Sequence, residues 1–412
     1  MTRGARSPGS MVTVTEQYEV YPYPERDPAD EDRRLIVGSP SDPREIDHFL
    51  HGGTRDWSSP MRALFAGGGT GDGLVQFAQQ VADAGRDAEI TYIDVSKSAR
   101  AVAEARAARR GLTKIRFLTG SLLDASDHGQ FDYIDCCGVL HHLKEPSAGF
   151  SALRTALSPG GGMGFMVYAP HGRSGVYALQ QAFGSLFQGL PPEKRVSEGR
   201  KILAGLPMGH PFKANSGLVD HVESDAGFYD LLLHSQDRAF SVPELLDVLG
   251  GAGWRLQGFT MSRLYDLDLY ATHRPKDLSD EDAMALAEKL AGTIKTHVAY
   301  AVPREDLRPM PLNRPWAETR KRIPHLKGAI AKKLAQRVAD GGPVSAGFGG
   351  VKRELDLPKA TAPLLGLIDG RRTAGNIAKK AKLEPARAAV AWARIEAALA
   401  PWGMLLYSDL YR

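Results

Sequence analysis

The stretch Arg62-Ala63-Leu64-Phe65-Ala66-Gly67-Gly68-Gly69-Thr70-Gly71 decides the fold. A short apolar strand runs straight into a glycine-rich turn. Residues 74–84 then place Leu74, Phe77, Ala78 and Val81 on one helical face. Strand, glycine turn and helix in that order let backbone approach a ligand closely and aim helix N–H groups at an anionic part of it. The spacing is informative. A dinucleotide loop of the form G-x-G-x-x-G needs a third glycine, but counted from Gly67 that position holds Asp72, and counted from Gly69 it holds Leu74. The loop is G-x-G-x-G, which argues against a nicotinamide oxidoreductase.

Outward from this loop, strands and helices alternate. Residues 90–94, 115–118, 133–137 and 163–168 read as strands. Residues 98–110 and 148–157 read as helices, closed by Gly111 and by Ser158-Pro159-Gly160. The alternation predicts an α/β fold, a doubly wound parallel sheet whose ligands bind beyond the C-terminal ends of the strands. Asp94 ends the second strand, 23 residues after Gly71. A carboxylate there can accept both hydroxyls of a ribose; the plainer alternative is a surface aspartate at a strand end. Gly120-Ser121-Leu122, after the third strand, is placed to flank an adenine.

The chain has 412 residues, more than the roughly 100–200 of one ordinary domain. Its 43% hydrophobic and 24% charged residues are globular usage and exclude disorder throughout. The two cysteines, Cys136 and Cys137, are adjacent, which excludes a disulfide framework and suits a reducing compartment. No Cys/His cluster has zinc spacing, so no metal is expected. No apolar run reaches the ~18 residues of a membrane span, and residues 1–10 lack the apolar segment of a signal peptide. The expectation is a cytoplasmic protein that makes no use of a membrane. Met11 is a possible alternative start, which would make the preceding residues a tail.

Net charge is +4, unevenly spread. Residues 303–394 hold 20 Lys/Arg against 8 Asp/Glu, and the rest holds 32 against 40. An acidic body thus carries a basic C-terminal part. Solvated helix faces explain that, and so does an anionic partner such as nucleic acid or an acidic protein surface. The organisation reads as an N-terminal arm or lid (1–60), a sheet domain (61–302) with a helical insertion at about 171–252, a basic linker region (303–350), and a small domain (351–412). Prolines 22, 24 and 28 argue against helix in the arm, which leads to a short helix near residues 43–50. In the small domain, Asp369-Gly370-Arg371-Arg372-Thr373 and the segments after it read as a helix-turn-helix, with residues 404–407 as one strand of a wing.

Together these strand ends resemble class I S-adenosylmethionine-dependent methyltransferases. Phe65-Ala66-Gly67-Gly68-Gly69-Thr70-Gly71 is similar to that family's cofactor loop, and Tyr92-Ile93-Asp94-Val95-Ser96 to its ribose-binding strand end. Phe131-Asp132-Tyr133 through Gly138-Val139-Leu140-His141-His142-Leu143 resembles its strand-four motif, and Leu157-Ser158-Pro159-Gly160-Gly161 the turn before strand five. The arm Tyr18-Glu19-Val20-Tyr21-Pro22-Tyr23-Pro24 and the segment Phe228-Tyr229-Asp230-Leu231-Leu232-Leu233-His234-Ser235-Gln236-Asp237-Arg238 resemble a bacterial subgroup.

The resemblance implies a Rossmann-like seven-stranded sheet with an antiparallel last strand, its final hairpin at residues 254–260 and 297–302. It also implies S-adenosylmethionine as cofactor, held by Gly67, Gly69, Gly71, Asp94, Val95, Ser121, Leu122, Gly138 and His141. One departure matters. The family usually has an acidic residue near the end of strand one, where Phe65 stands here, and Asp72 or water would have to compensate.

Methyl transfer from a sulfonium has an excellent leaving group, so positioning dominates and a base is needed only if the nucleophile carries a proton. His141, His142, Tyr168 and His171 lie near the mouth, and Tyr168 and His171 are the catalytic candidates. A satisfied structural histidine is the alternative for each imidazole. Tyr21 or Tyr23 would face substrate if the arm is a lid, and would pack on the body if it is a strap. Asp225, Tyr229, His234, Asp237 and Arg238 bind substrate or form an ion-pair network. The acceptor expected is a protein or a small molecule. Nucleic acid on the basic C-terminal part and a homo-oligomer are further possibilities. The alternative function is a non-catalytic module of the same fold that binds nucleic acid or a protein partner.

Overall fold

The computed structural model describes residues 12–348 and 350–412; the tail at 1–10 and Met11 lie outside them. Seven strands form one sheet: β1 (Met61–Ala66), β2 (Ala88–Asp94), β3 (Ile115–Thr119), β4 (Phe131–Cys137), β5 (Leu157–Tyr168), β6 (Trp254–Phe259) and β7 (Thr296–Pro303). Their order is β3-β2-β1-β4-β5-β7-β6. The first five are parallel, and β7 runs antiparallel to both β5 and β6. The Rossmann-like sheet with a reversed last strand is therefore present. Strand order reverses between β1 and β4, where such sheets open a ligand crevice. Phe65 and Asp135 are direct register partners across that junction.

Strand residues alternate between two packed faces. Ala63, Phe65, Tyr92, Tyr133 and Tyr300 share one core cluster with the helices before and after β1. Leu64, Ala66, Ile134, Cys136, Phe165 and Val167 belong to the cluster on the other face. The arm begins with α1 (Val14–Val20), followed by α2 (Pro43–His51), α3 (Asp72–Asp83), α4 (Lys97–Arg109) and α5 (Pro146–Thr155). The expectation of no helix in the arm is corrected by α1, which takes in Tyr18 and stops short of Pro22. Thr13 and Glu16 form a capping box that starts it, and the prolines merely end it. The insertion builds its own small core around Phe183, Phe212, Phe228 and Tyr229.

The linker reading of 303–350 is also corrected. β8 (Pro324–Leu326) pairs antiparallel with the C-terminal strand Leu405–Tyr407. The helix Ala331–Ala339 buries Leu334 and Val338 in the cluster that holds Leu364, Leu365 and Trp392. Four-residue apolar spacing on a Lys/Arg-rich helix was the signal that the proline count masked. The strand Leu405–Tyr407 is fully buried against α2: His48 Nδ1 accepts the Tyr407 N–H at 2.9 Å, and Asp47 accepts from Ser408 and Asp409. Part of the basic surplus is spent on the body as well, with Lys327 on Glu45 and Arg308 on the Leu50 carbonyl. Among the described residues no helix is long and apolar enough to cross a membrane.

Candidate functional site

A cavity of about 720 Å³ opens at the C-terminal ends of β1, β2 and β4, within the usual range for small-ligand sites. Its floor is the glycine turn. Gly67 and Gly69 sit at φ of 70° and 52°, in the left-handed region where a side chain is strained. Gly68 has ordinary φ, but a Cβ there would stand 2.4 Å from the Tyr92 ring. That ring's hydroxyl donates to the Gly69 carbonyl at 2.6 Å and fixes the turn. Gly71 has a different role from the one expected. It does not line the cavity; at φ 94° it caps α3, and a Cβ would press on Ala103 of α4 at 3.0 Å.

Asp94 faces the turn. Its Oδ2 accepts the Gly69 N–H at 2.9 Å and its Oδ1 the Ser96 N–H at 2.8 Å, which aims the carboxylate along the cavity wall. Burial pushes its carboxyl up, against the pull of those N–H groups. Each oxygen keeps a further lone pair for a ligand hydroxyl. Val95, Ser121, Leu122 and Gly138 also line the cavity. His141 does not. It is buried between the rings of His142 and Tyr168, with centroids 4.1 and 3.8 Å away.

The arm closes one side, with Tyr18, Tyr23, Pro24 and Arg26 on the lining. Tyr21 instead packs on Tyr229. Arg26 forms a bidentate pair with Asp72, and Arg106 bridges Asp72 and Glu31 at 2.7 Å each while 1% exposed. Burial works against the Asp72 carboxylate, but the two guanidiniums outweigh it and hold its pKa below the ordinary value. Asp72 is thus committed to anchoring the arm.

At the far end, β5 and the helix Asp225–Leu232 bring together a polar cluster. Tyr18 and Tyr168 donate to the two oxygens of Asp230, at 2.9 and 3.0 Å. Burial keeps both phenols protonated, well above their usual pKa, and also raises Asp230 against the pull of His142. Tyr168 is therefore a donor that orients Asp230. His142 Nδ1 lies 2.9 Å from the Gln236 carbonyl, which can only accept, so Nδ1 carries a hydrogen and in the neutral ring Nε2 holds the lone pair. His142 lines the cavity.

His142, Asp230 and His234 place their ligating atoms within 4.8 Å of one another, a spacing that could hold a metal ion. The hydrogen bonding argues for proton chemistry instead. His234 Nδ1 accepts the Gln236 N–H, so in the neutral ring Nε2 bears a hydrogen, pointed at the Tyr18 oxygen 3.2 Å away.

His171 sits in the turn His171–Arg173 outside the cavity lining; the residue of that turn that reaches the cavity is Arg173. Arg173 stacks 3.6 Å over Tyr168 and pairs with Asp237. The expected 225–238 cluster is thus divided. His234 joins the cavity network and Asp237 holds Arg173, while Asp225 pairs with Arg200 near the surface. Asp230 was missed, although its four-residue spacing from His234 was visible in the sequence.

Residues 64–163 match the family model described as a methyltransferase domain. The matched residues lie within the Rossmann-like seven-stranded sheet. The chain has curated relatives. An uncharacterised protein of Synechococcus sp. is 33% identical over 262 residues, 60% of this chain and 61% of that protein's length. The ubiquinone biosynthesis O-methyltransferase of Alkalilimnicola ehrlichii is 32% identical over 95 residues, 23% of this chain and 38% of that enzyme. The match therefore spans less than two thirds of either relative.

In three dimensions the chain resembles PKMT2 from Rickettsia typhi, with a TM-score of 0.64 at 13% identity over 91% of this chain and 77% of that one. The same protein in complex with AdoHcy gives 0.61 at 14% identity, over 90% and 76%. At such identity the likeness is one of fold, and it reaches well beyond residues 64–163 on both sides.

Proposed function

We propose that the chain binds S-adenosylmethionine in this cavity and transfers its methyl group to an acceptor that enters from the Tyr168 and Arg173 side. The carrying observation is the cavity itself: its lining runs from Asp94 and the glycine turn to His142, Tyr168 and Asp230. The AdoHcy complex of the R. typhi neighbour supports the choice of ligand. Asp94 would take the ribose hydroxyls, Ser121 and Leu122 would flank the adenine, and Gly67 to Gly69 would lie along the chain that joins the two ends.

S-adenosylmethionine held there would supply an electrophilic methyl on a sulfonium, to be taken by the acceptor's lone pair with thioether sulfur as the leaving group. His142 Nε2 accepts the acceptor's proton. The imidazolium so formed faces the Asp230 carboxylate, whose position Tyr18 and Tyr168 fix. The arm excludes water from the reacting end. An acceptor with a protonated nitrogen or oxygen nucleophile suits this arrangement. A proton acceptor inside the ligand cavity speaks for catalysis over a purely binding role.

Calorimetric titration of the full chain with S-adenosylmethionine and with NADH tests the reading. Saturable binding of the first alone is expected, followed by transfer of labelled methyl groups in an acceptor screen. Binding of neither ligand would overturn it.

A further inference from the structure

We propose that Asp135 receives the ammonium of the amino-acid end of the nucleoside ligand. The inference rests on the cofactor reading above and concerns a residue that the reading does not use. A ligand that joins adenine, ribose, sulfur and an amino acid carries an ammonium at the end remote from its ring. Charge complementarity asks for a carboxylate there.

Five aspartates line the cavity; Asp220 belongs to the insertion and not to the sheet, and the other four differ in what they have left to offer. Asp72 is saturated by Arg26 and Arg106. Asp94 spends an N–H contact on each oxygen and stands at the ribose end. Asp230 accepts one phenol on each oxygen, beside His142. Asp135 is 4% exposed, and both its donors, Ser41 Oγ at 2.8 Å and Tyr133 Oη at 2.9 Å, go to Oδ2. Oδ1 takes neither. Among the described residues it has no Lys, Arg or His ion-pair partner, although burial has pushed its pKa up to about 6. A buried carboxylate without a cation is costly, and a ligand cation relieves that cost.

Its place in the sheet agrees. Asp94 ends β2, the glycine turn follows β1, and Asp135 lies on β4. The ribose carboxylate and Asp135 are thus two strands apart, about 10 Å at ordinary strand spacing, with the turn between them. Phe65, its register partner on β1, offers no charge at that level. Ser41, which orients the carboxylate, comes from the segment between arm and α2 and lines the same cavity.

The test compares two ligands by calorimetry on the full chain. S-adenosylhomocysteine carries the amino-acid end; 5′-methylthioadenosine keeps the adenine, ribose and thioether and lacks it. Asp135→Asn should weaken S-adenosylhomocysteine by about thirtyfold or more, the scale of a lost desolvated charge pair. It should leave 5′-methylthioadenosine within about twofold, which also shows that the variant is folded; Asp135→Ser is the second variant should Asn fold poorly. Unchanged binding of S-adenosylhomocysteine, or equal losses for both ligands, would overturn the assignment. Failure of the wild-type chain to bind either would instead overturn the cofactor reading, and this inference with it.

Discussion

The Tyr18 hydroxyl and the Asp230 carboxylate are 212 residues apart in sequence and 2.9 Å apart in the structure. The first belongs to the arm, the second to a helix of the insertion, and they meet over the cavity end that also holds His142. Because the phenol also lies 3.2 Å from His234, it ties arm, insertion and reacting end into one network. Tyr18→Phe removes a buried hydrogen bond to a carboxylate while keeping the ring. Stability should fall by about 1.5–3 kcal/mol in urea unfolding. Amide exchange across residues 14–24 should quicken. An unchanged midpoint with unchanged exchange would show that the bond is not made in solution.

Asp94→Ala should weaken S-adenosylhomocysteine by about 1–3 kcal/mol, the scale of lost charged hydrogen bonds. Two effects add: the ligand loses its acceptors, and the Gly69 and Ser96 N–H groups lose theirs. Asp94→Asn separates them, since its amide oxygen can still accept one N–H. Calorimetry that finds all three proteins equal would remove the ribose assignment.

For His142→Gln, methyl transfer to any acceptor found by labelling should fall about 10²- to 10⁴-fold. Affinity for S-adenosylhomocysteine should stay near wild type, because the imidazole is proposed to take the acceptor's proton and not to hold the ribose. Equal losses in rate and affinity would make His142 a packing residue. An unaffected rate would point to an acceptor that attacks without giving up a proton.

The strand ends were legible in the sequence because each combines a short apolar run with a glycine, aspartate or serine whose chemistry is local. The loop at Gly67 to Gly69, Asp94 and Ser121 could all be placed without knowing any distant contact. The reacting end could not. Asp230, Arg173 and Tyr18 become neighbours only when β5, the insertion and the arm fold together, and the segments that carry Tyr18 and Asp230 name no chemical role by themselves. His171 was favoured over His142 because it follows β5, yet the turn at His171–Arg173 gives the cavity Arg173 instead. In the C-terminal part, composition misled. Prolines and lysines suggested a linker where Leu334 and Val338 in fact bury a helix.

His48 couples the C-terminal strand to α2, and its environment carries a pH signature. Burial, with Arg322 and His325 nearby, depresses its pKa to about 3, and it accepts the Tyr407 N–H as a neutral ring. In the unfolded chain the ring titrates near 6.5. The folded value is the lower one, so below about pH 6.5 the unfolded state binds the extra proton. The stabilisation is fully present above that pH and is lost as pH falls towards 3, by up to about 1.4 kcal/mol per pH unit. His48→Gln can keep an acceptor for the Tyr407 N–H but has nothing to protonate. Its stability deficit at pH 7.5 should therefore shrink steadily at pH 6, 5 and 4.5 in urea unfolding. Stability profiles that run parallel over this range would mean that His48 is already protonated in the fold, and its bond to Tyr407 would then have to be abandoned.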